Sequence, residues 1–235
     1  MNPKPARDAA CRASPAMTNC LGEPRWACPT SRMQFPRLYA ILDSSLFAGV
    51  GTILRAADEL LSAGCTLIQY RNKSGNSREI LDQARELRGL VGTRARLIMN
   101  DRADLCLAAE FDGLHIGQDD LSAEAARRII GSSRWLGIST HNPEQVGEAD
   151  RTDADYLAIG PVFATTSKAN PDPVVGLEGL RQARQMTGKP LVAIGGIARA
   201  NARSVIDAGA DGVAVISDLL LDPRKSAEEF FAVLR

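Results

Sequence analysis

The chain has 235 residues, 45% of them hydrophobic, with 28 Lys and Arg balanced by 28 Asp and Glu. That length suits one domain with a sizeable core, and the zero net charge excludes a broad electrostatic attraction to nucleic acid or to a membrane surface. No stretch reaches the ~18 apolar residues of a membrane span, and the five widely spaced cysteines, with no C-x-x-C pair, read as reduced thiols of a cytoplasmic protein.

Residues 1–34 hold five prolines and three of the five cysteines, without apolar periodicity, and are expected to form a disordered leader. They contain no continuous apolar segment of the secretory kind. Met33, just before the first expected strand, is a candidate alternative start. Residues 35–235 are expected to form one catalytic domain.

From Arg37 onward, short apolar runs alternate with amphipathic stretches. The runs are Leu38–Leu42, Thr66–Tyr70, Arg96–Met99, Gly113–Ile116, Trp135–Ile138, Tyr156–Ile159, Pro190–Ile194 and Gly212–Ile216. Continuous apolar runs suit parallel strands covered on both faces. Helices are expected over about 51–63, 77–90, 103–109, 122–131, 143–149, 177–187, 201–209 and 224–234. Gly64, Gly131, Gly188 and Gly209 stand where glycines end helices, and Ser77, Ser122 and Asn142 where side chains cap helix starts. Eight strands and eight helices make an α/β fold of the (β/α)8 TIM-barrel type; a doubly wound sheet would want G-x-G-x-x-G after the first strand, which is absent.

Barrel enzymes work at the C-terminal ends of the strands. The second strand ends in Gln69, Tyr70, Arg71, Asn72 and Lys73, and alternation sends Gln69, Arg71 and Lys73 the same way. Two cations and an amide on one face suit a phosphate-rich ligand. The next two strands end in Asn100–Asp101 and in Gln118–Asp119–Asp120, carboxylates placed beside the cations of the second strand to share a magnesium ion, although Asp120 also suits a cap of the helix near Ser122 and Asp101 an ion pair with Arg102. The fifth delivers Ser139 and His141, and His115 within the fourth reads as a hydrogen-bonded core residue. After the sixth strand comes Gly160–Lys168, where Thr165, Thr166, Ser167 and Lys168 combine hydroxyls with a cation. Gly195–Gly196 after the seventh strand and Ile216–Ser217 after the eighth offer backbone N–H groups for a phosphate. Two anion sites follow: one cationic and metal-assisted, fit for a diphosphate, and one built from backbone, fit for a monophosphate. The chemistry they imply is transfer of the group on that diphosphate to a monophosphorylated partner.

The motifs I-Q-Y-R-N-K, N-D-R, H-I-G-Q-D-D-L, G-I-S-T-H, G-P-V-F-A-T-T-S-K, A-I-G-G-I and A-D-G-V-A-V-I-S, in this order over about residues 37–221, resemble the thiamine-phosphate synthase family. The resemblance implies two small-molecule substrates, an aminopyrimidine diphosphate and a thiazole phosphate, joined after dissociative loss of diphosphate. It assigns Gln69, Arg71, Lys73, Asn100 and Lys168 to the pyrimidine diphosphate, with Ser139 beside it and Tyr70 and Asn72 within the same segment. It assigns Asp101 and Asp120 to Mg2+, and Thr165, Thr166, Ser167, Gly196, Ile216 and Ser217 to the thiazole phosphate. Lys168, Arg71, Lys73 and Ser139 are the expected catalytic set. Ser167 stands where threonine is common and Tyr70 where leucine is. Nucleic acid and membrane are not expected partners, and self-association is left open. The alternatives are a metal-free thiazole tautomerase using His141 and a non-catalytic binder of the same precursors.

Overall fold

The computed structural model describes residues 35–165 and 172–235, so the expected leader lies outside the described residues. The strands are β1 (Leu38–Asp43), β2 (Leu67–Arg71), β3 (Arg96–Asn100), β4 (Gly113–Ile116), β5 (Trp135–Thr140), β6 (Tyr156–Ile159), β7 (Leu191–Ile194) and β8 (Gly212–Val215). They pair in parallel in chain order, and β8 returns to β1, closing a barrel. Among the described residues the helices are α1 (Val50–Ser62), α2 (Ser77–Val91), α3 (Ala103–Ala108), α4 (Ala123–Ile130), α5 (Pro143–Asp150), α6 (Gly176–Gln185), α7 (Ala202–Asp207), α8 (Ser217–Leu220) and α9 (Pro223–Val233). The (β/α)8 expectation holds, with the short α8 inserted after β8. Strand β5 runs further than the sequence suggests, taking in Ser139 and Thr140, because Thr140 Oγ1 donates to the Ala158 carbonyl at 2.9 Å and ties the strand end to β6.

Alternation within each strand separates two cores. Leu38, Ala40, Leu42, Ile68 and Tyr70 face outward into the layer shared with the helices. Tyr39, Ile41, Leu67, Ile98, Trp135, Tyr156, Ala158, Val192 and Ala214 fill the barrel interior. Phe35, just before β1, joins this inner cluster, stacked on Trp135 at 5.8 Å and lying 5.1 Å from Tyr156. Large inner side chains are matched by glycines across from them. A Cβ on Gly137 would lie 2.1 Å from the Tyr156 ring and 2.5 Å from His115 Nδ1, so only glycine admits both groups.

The N-terminal ends of alternate strands share one clamp. Asp112, Asp155 and Asp211 each precede an even-numbered strand and accept the N–H of Leu97, Leu136 and Leu191, all at 2.8 Å. Arg88, Arg127 and Arg184, from α2, α4 and α6, donate to the same three carboxylates. Each carboxylate therefore binds one strand to the helix that precedes it.

The helix ends largely follow their local chemistry. Ser122 and Asn142 cap α4 and α5 as expected. The cap of α2 is Asn76 and not Ser77, since Asn76 Oδ1 accepts the Glu79 N–H at 3.0 Å. Gly64, Gly131 and Gly209 have the positive φ of helix-ending glycines. Gly188 does not: α6 stops at Gln185, and its end is shaped by Arg184, which donates to the carbonyls of Thr187 and Lys189.

Candidate active site

The strand ends open onto a cavity of about 730 Å³. Its rim and walls include Gln69, Arg71, Lys73, Asn100, Asp101, Asp120, Ser139, Thr165, Gly196, Ile216 and Ser217, so most of the expected residues meet in one place. Tyr70 and Asn72, expected at the substrate, do not line it. Alternation turns Tyr70 outward, where it is fully buried and donates to Gln83 at 2.5 Å. Asn72 donates to Tyr70 and accepts the N–H groups of Ser74 and Gly75, so it shapes the loop after β2. Thr166, Ser167 and Lys168 lie outside the described residues.

On the side of β1 to β4, charge is arranged in pairs. Arg71 at the end of β2 is held by the buried carboxylate of Asp43 at the end of β1, which also accepts from Ser45 N and Oγ at 3.1 and 2.7 Å. Lys73 Nζ lies 2.8 Å from Asp101 Oδ2. Asp101 adopts a left-handed φ of 61° and its N–H donates to the His115 carbonyl at 2.8 Å, which fixes the turn that aims its carboxylate. Arg102 pairs with Asp104 at 2.6 Å, not with Asp101. Asp120 Oδ2 accepts the Gly117 N–H at 2.7 Å, and α4 is capped by Ser122, so Asp120 is not a helix cap. Burial pushes the Asp101 carboxyl above its usual range; Lys73 opposes that rise and the adjacent Asp120 adds to it.

Asp101, half-buried and beside a second carboxylate, forms with Asp120 a site that a divalent cation would relieve. Among the described residues no group of three or more His, Cys, Asp or Glu could hold a metal ion. A cation between Asp101 and Asp120 would therefore need further oxygens from substrate and water, which is the donor set magnesium favours.

On the side of β6 to β8, the backbones approach closely. Gly195 and Gly196 have φ of 94° and 62°, and a Cβ on Gly196 would meet the Ala164 carbonyl oxygen at 2.4 Å. The N–H groups of Val162 and Phe163 donate to the carbonyls of Ile194 and Gly195 at 2.9 and 3.0 Å. The loop after β6, which carries Thr165, is thus laid directly on the glycine pair. Asn201 braces the pair, donating to the Gly196 carbonyl at 3.0 Å. Asp218, a carboxylate beside this wall, is engaged by Arg199 Nε at 3.0 Å, which offsets its negative charge.

Between the two sides lies His115, hydrogen-bonded as expected: Nδ1 stands 3.0 Å from Tyr156 Oη and Nε2 2.8 Å from Ser139 Oγ. Burial lowers its pKa to about 4, so it is neutral near pH 7. His141 Nδ1 is 2.8 Å from the Gly160 carbonyl. Tyr39 and Asp43 escaped the sequence reading. Their signal was the parity of β1, which puts residues 39, 41 and 43 on the inner face.

The chain matches the family described as thiamine monophosphate synthase over residues 38–219. It is 58% identical over 207 residues to a thiamine-phosphate synthase of Koribacter versatilis, covering 87% of this chain and 98% of that one. It is 46% identical over 184 residues to a thiamine-phosphate synthase of Chloroflexus aurantiacus, covering 77% of this chain and 83% of that one. The structure of a thiamine phosphate pyrophosphorylase from Pyrococcus furiosus superposes with a TM-score of 0.75 at 37% identity, covering 84% of this chain and 95% of that one. With a barrel mouth carrying charge at β2 to β4 and a glycine cradle at β7, the chain belongs to the thiamine monophosphate synthase family.

Proposed function

We propose that this chain condenses an aminopyrimidine diphosphate with a thiazole phosphate, giving thiamine phosphate and diphosphate, at the mouth of the barrel. The observation that carries this reading is the division of one cavity: Arg71, Lys73, Asp101 and Asp120 on one side, the glycine pair and Ser217 on the other.

The bond between the pyrimidine methylene carbon and the diphosphate oxygen breaks, and its electron pair leaves with the diphosphate. The thiazole nitrogen then gives its lone pair to that carbon, and the new C–N bond needs no proton transfer. The residues' work is to offset departing charge and to hold the partner in line. Arg71, fixed by Asp43, and Lys73 face the diphosphate. Magnesium held by Asp101 and Asp120 would supply additional positive charge to the leaving group. Lys168, from the family motif, is assigned to the same group, and Thr165, Thr166, Ser167, Gly196, Ile216 and Ser217 to the thiazole phosphate. Gln69, Asn100 and Ser139 bind the pyrimidine substrate.

The metal-free isomerase reading takes His141, a cavity-lining residue whose Nδ1 lies 2.8 Å from the Gly160 carbonyl, and has no use for the carboxylates of Asp101 and Asp120. It also leaves the cations of β2 without a task. Among the described residues no helix is long and apolar enough to cross a membrane; the free, buried thiols of Cys65 and Cys106 fit a reaction in the cytoplasm. Incubation of the purified chain with both precursors, with and without magnesium, tests the proposal: thiamine phosphate should form only with both precursors and the metal. No product with magnesium present would overturn it.

A further inference from the structure

Five buried or half-buried polar groups form one chain across the barrel interior. Gln69 Nε2 donates to Tyr39 Oη at 2.7 Å, and Tyr39 Oη lies 2.9 Å from Tyr156 Oη. Tyr156 Oη lies 3.0 Å from His115 Nδ1, and His115 Nε2 lies 2.8 Å from Ser139 Oγ. Both ends reach the cavity, Tyr39 and His115 form part of its floor, and Tyr156 lies beneath them at 0% exposure. Gly137 leaves the room through which the chain passes.

We propose that Tyr39, Tyr156 and His115 are positioning residues that together hold Ser139 as a hydrogen-bond donor and the Gln69 carbonyl as an acceptor towards one substrate. The argument is a count of protons. Each phenol has one, and the Tyr39 oxygen already accepts from Gln69, so its own proton goes to Tyr156. The Tyr156 proton goes to His115 Nδ1. A neutral imidazole that accepts at Nδ1 carries its proton on Nε2 and donates it to Ser139 Oγ. Ser139 is left with its hydroxyl proton for the cavity, and Gln69 with its carbonyl oxygen. Any mixed arrangement strands a buried phenol proton or sets two lone pairs against each other, which costs more than either uniform direction. The Gln69 amide orientation and the His115 tautomer are thus one choice. Turning the amide over reverses every bond: Ser139 Oγ then donates to His115 Nε2 and offers the cavity only lone pairs, and Gln69 presents its amino group instead. The neutrality of His115 fits a group that must accept at one nitrogen and donate at the other.

This deepens the proposed function and rests on it: an aminopyrimidine diphosphate carries an amino donor and phosphate acceptors, which suit a carbonyl at Gln69 and a hydroxyl proton at Ser139. The relay makes the two ends recognise such a substrate jointly.

The chain has only two histidines, so 15N spectra of histidine-labelled full-length protein resolve the tautomer without any substrate. In the unliganded protein, His115 should carry its proton on Nε2. Tyr156→Phe should give mixed tautomers and lower kcat about tenfold, the effect of one lost buried hydrogen bond. In a Ser139→Ala background the same change should cost less than about twofold, because its route to the substrate is already gone. Tyr39→Phe should keep the Nε2 proton, since Tyr156 still donates to Nδ1, but raise KM for the pyrimidine substrate. An Nδ1-protonated His115 in the unliganded protein would overturn the relay, as would an equal cost of Tyr156→Phe in both backgrounds. Should Tyr156→Phe not fold, the parent spectrum and Tyr39→Phe decide the matter. If the function is wrong, activity is absent from the parent protein while the tautomer remains measurable, so the two failures are distinct.

Discussion

Replacing Gly196 with alanine tests whether the close approach of two loops builds the monophosphate site. The backbone there has φ of 62°, which costs an L-residue about 1–2 kcal/mol. The new Cβ would sit 2.4 Å from the Ala164 carbonyl oxygen and 2.8 Å from Phe163 Cβ. The loop cannot retreat freely, because Phe163 donates to the Gly195 carbonyl at 3.0 Å. Overpacking of this kind adds about 1–3 kcal/mol. A total near 3 kcal/mol lowers Tm by roughly 6–12 °C in a domain of this size. If the loop yields, the cradle widens, so KM for the thiazole phosphate should rise at least about tenfold while that for the pyrimidine diphosphate changes little. Gly89→Ala is the control: it lies in α2 with nothing within 4 Å of its Cβ position, and should stabilise by about 0.5–1 kcal/mol. An unchanged Tm and an unchanged KM for the thiazole phosphate in Gly196→Ala would refute the reasoning.

Other perturbations act on the opposite side. Asp43→Asn removes the charge that fixes Arg71, and should lower kcat about tenfold or more with KM for the thiazole phosphate unaltered; steady-state kinetics with each substrate varied checks this. Asp101→Asn should raise the magnesium concentration needed for half-maximal rate, read from a titration that would look the same if Asp101 did not touch the metal. His115 has a pKa near 4 in the fold against a usual value of 6.5. Between those values the unfolded chain binds the extra proton. Its contribution to stability is therefore complete above pH 6.5 and is lost as pH falls towards 4, by about 3 kcal/mol. Urea unfolding from pH 7 to 4.5 should show that slope, and His115→Gln should flatten it.

The barrel is legible because each strand is a short apolar run and several helices carry a starting or ending residue, as Ser122, Asn142, Gly64 and Gly131 do. Parity along β2 also told Gln69, Arg71 and Lys73 from their neighbours. Adjacency alone places Tyr70 and Asn72 at the substrate, against that same parity, and the structure turns both away. What sequence could not reveal is pairing across distance. Tyr39 and Tyr156 are 117 positions apart, and nothing local to either marks a partner. The clamps at Asp112, Asp155 and Asp211 leave a faint trace, an aspartate just before each of three apolar strands, but their arginines lie more than 20 positions away. The left-handed turn at Asp101 was invisible for another reason: aspartate tolerates it, so no glycine announces it.

The central claim is that one barrel mouth removes diphosphate on the β2–β4 side while holding a monophosphate on the β6–β8 side. A crystal structure with diphosphate, magnesium and thiazole phosphate together tests it most directly. Diphosphate should lie against Arg71 and Lys73, with the metal between it and Asp101 and Asp120, and the monophosphate should rest on Gly195, Gly196 and Ser217. Both anions on one side, or a metal away from the two aspartates, would contradict the account.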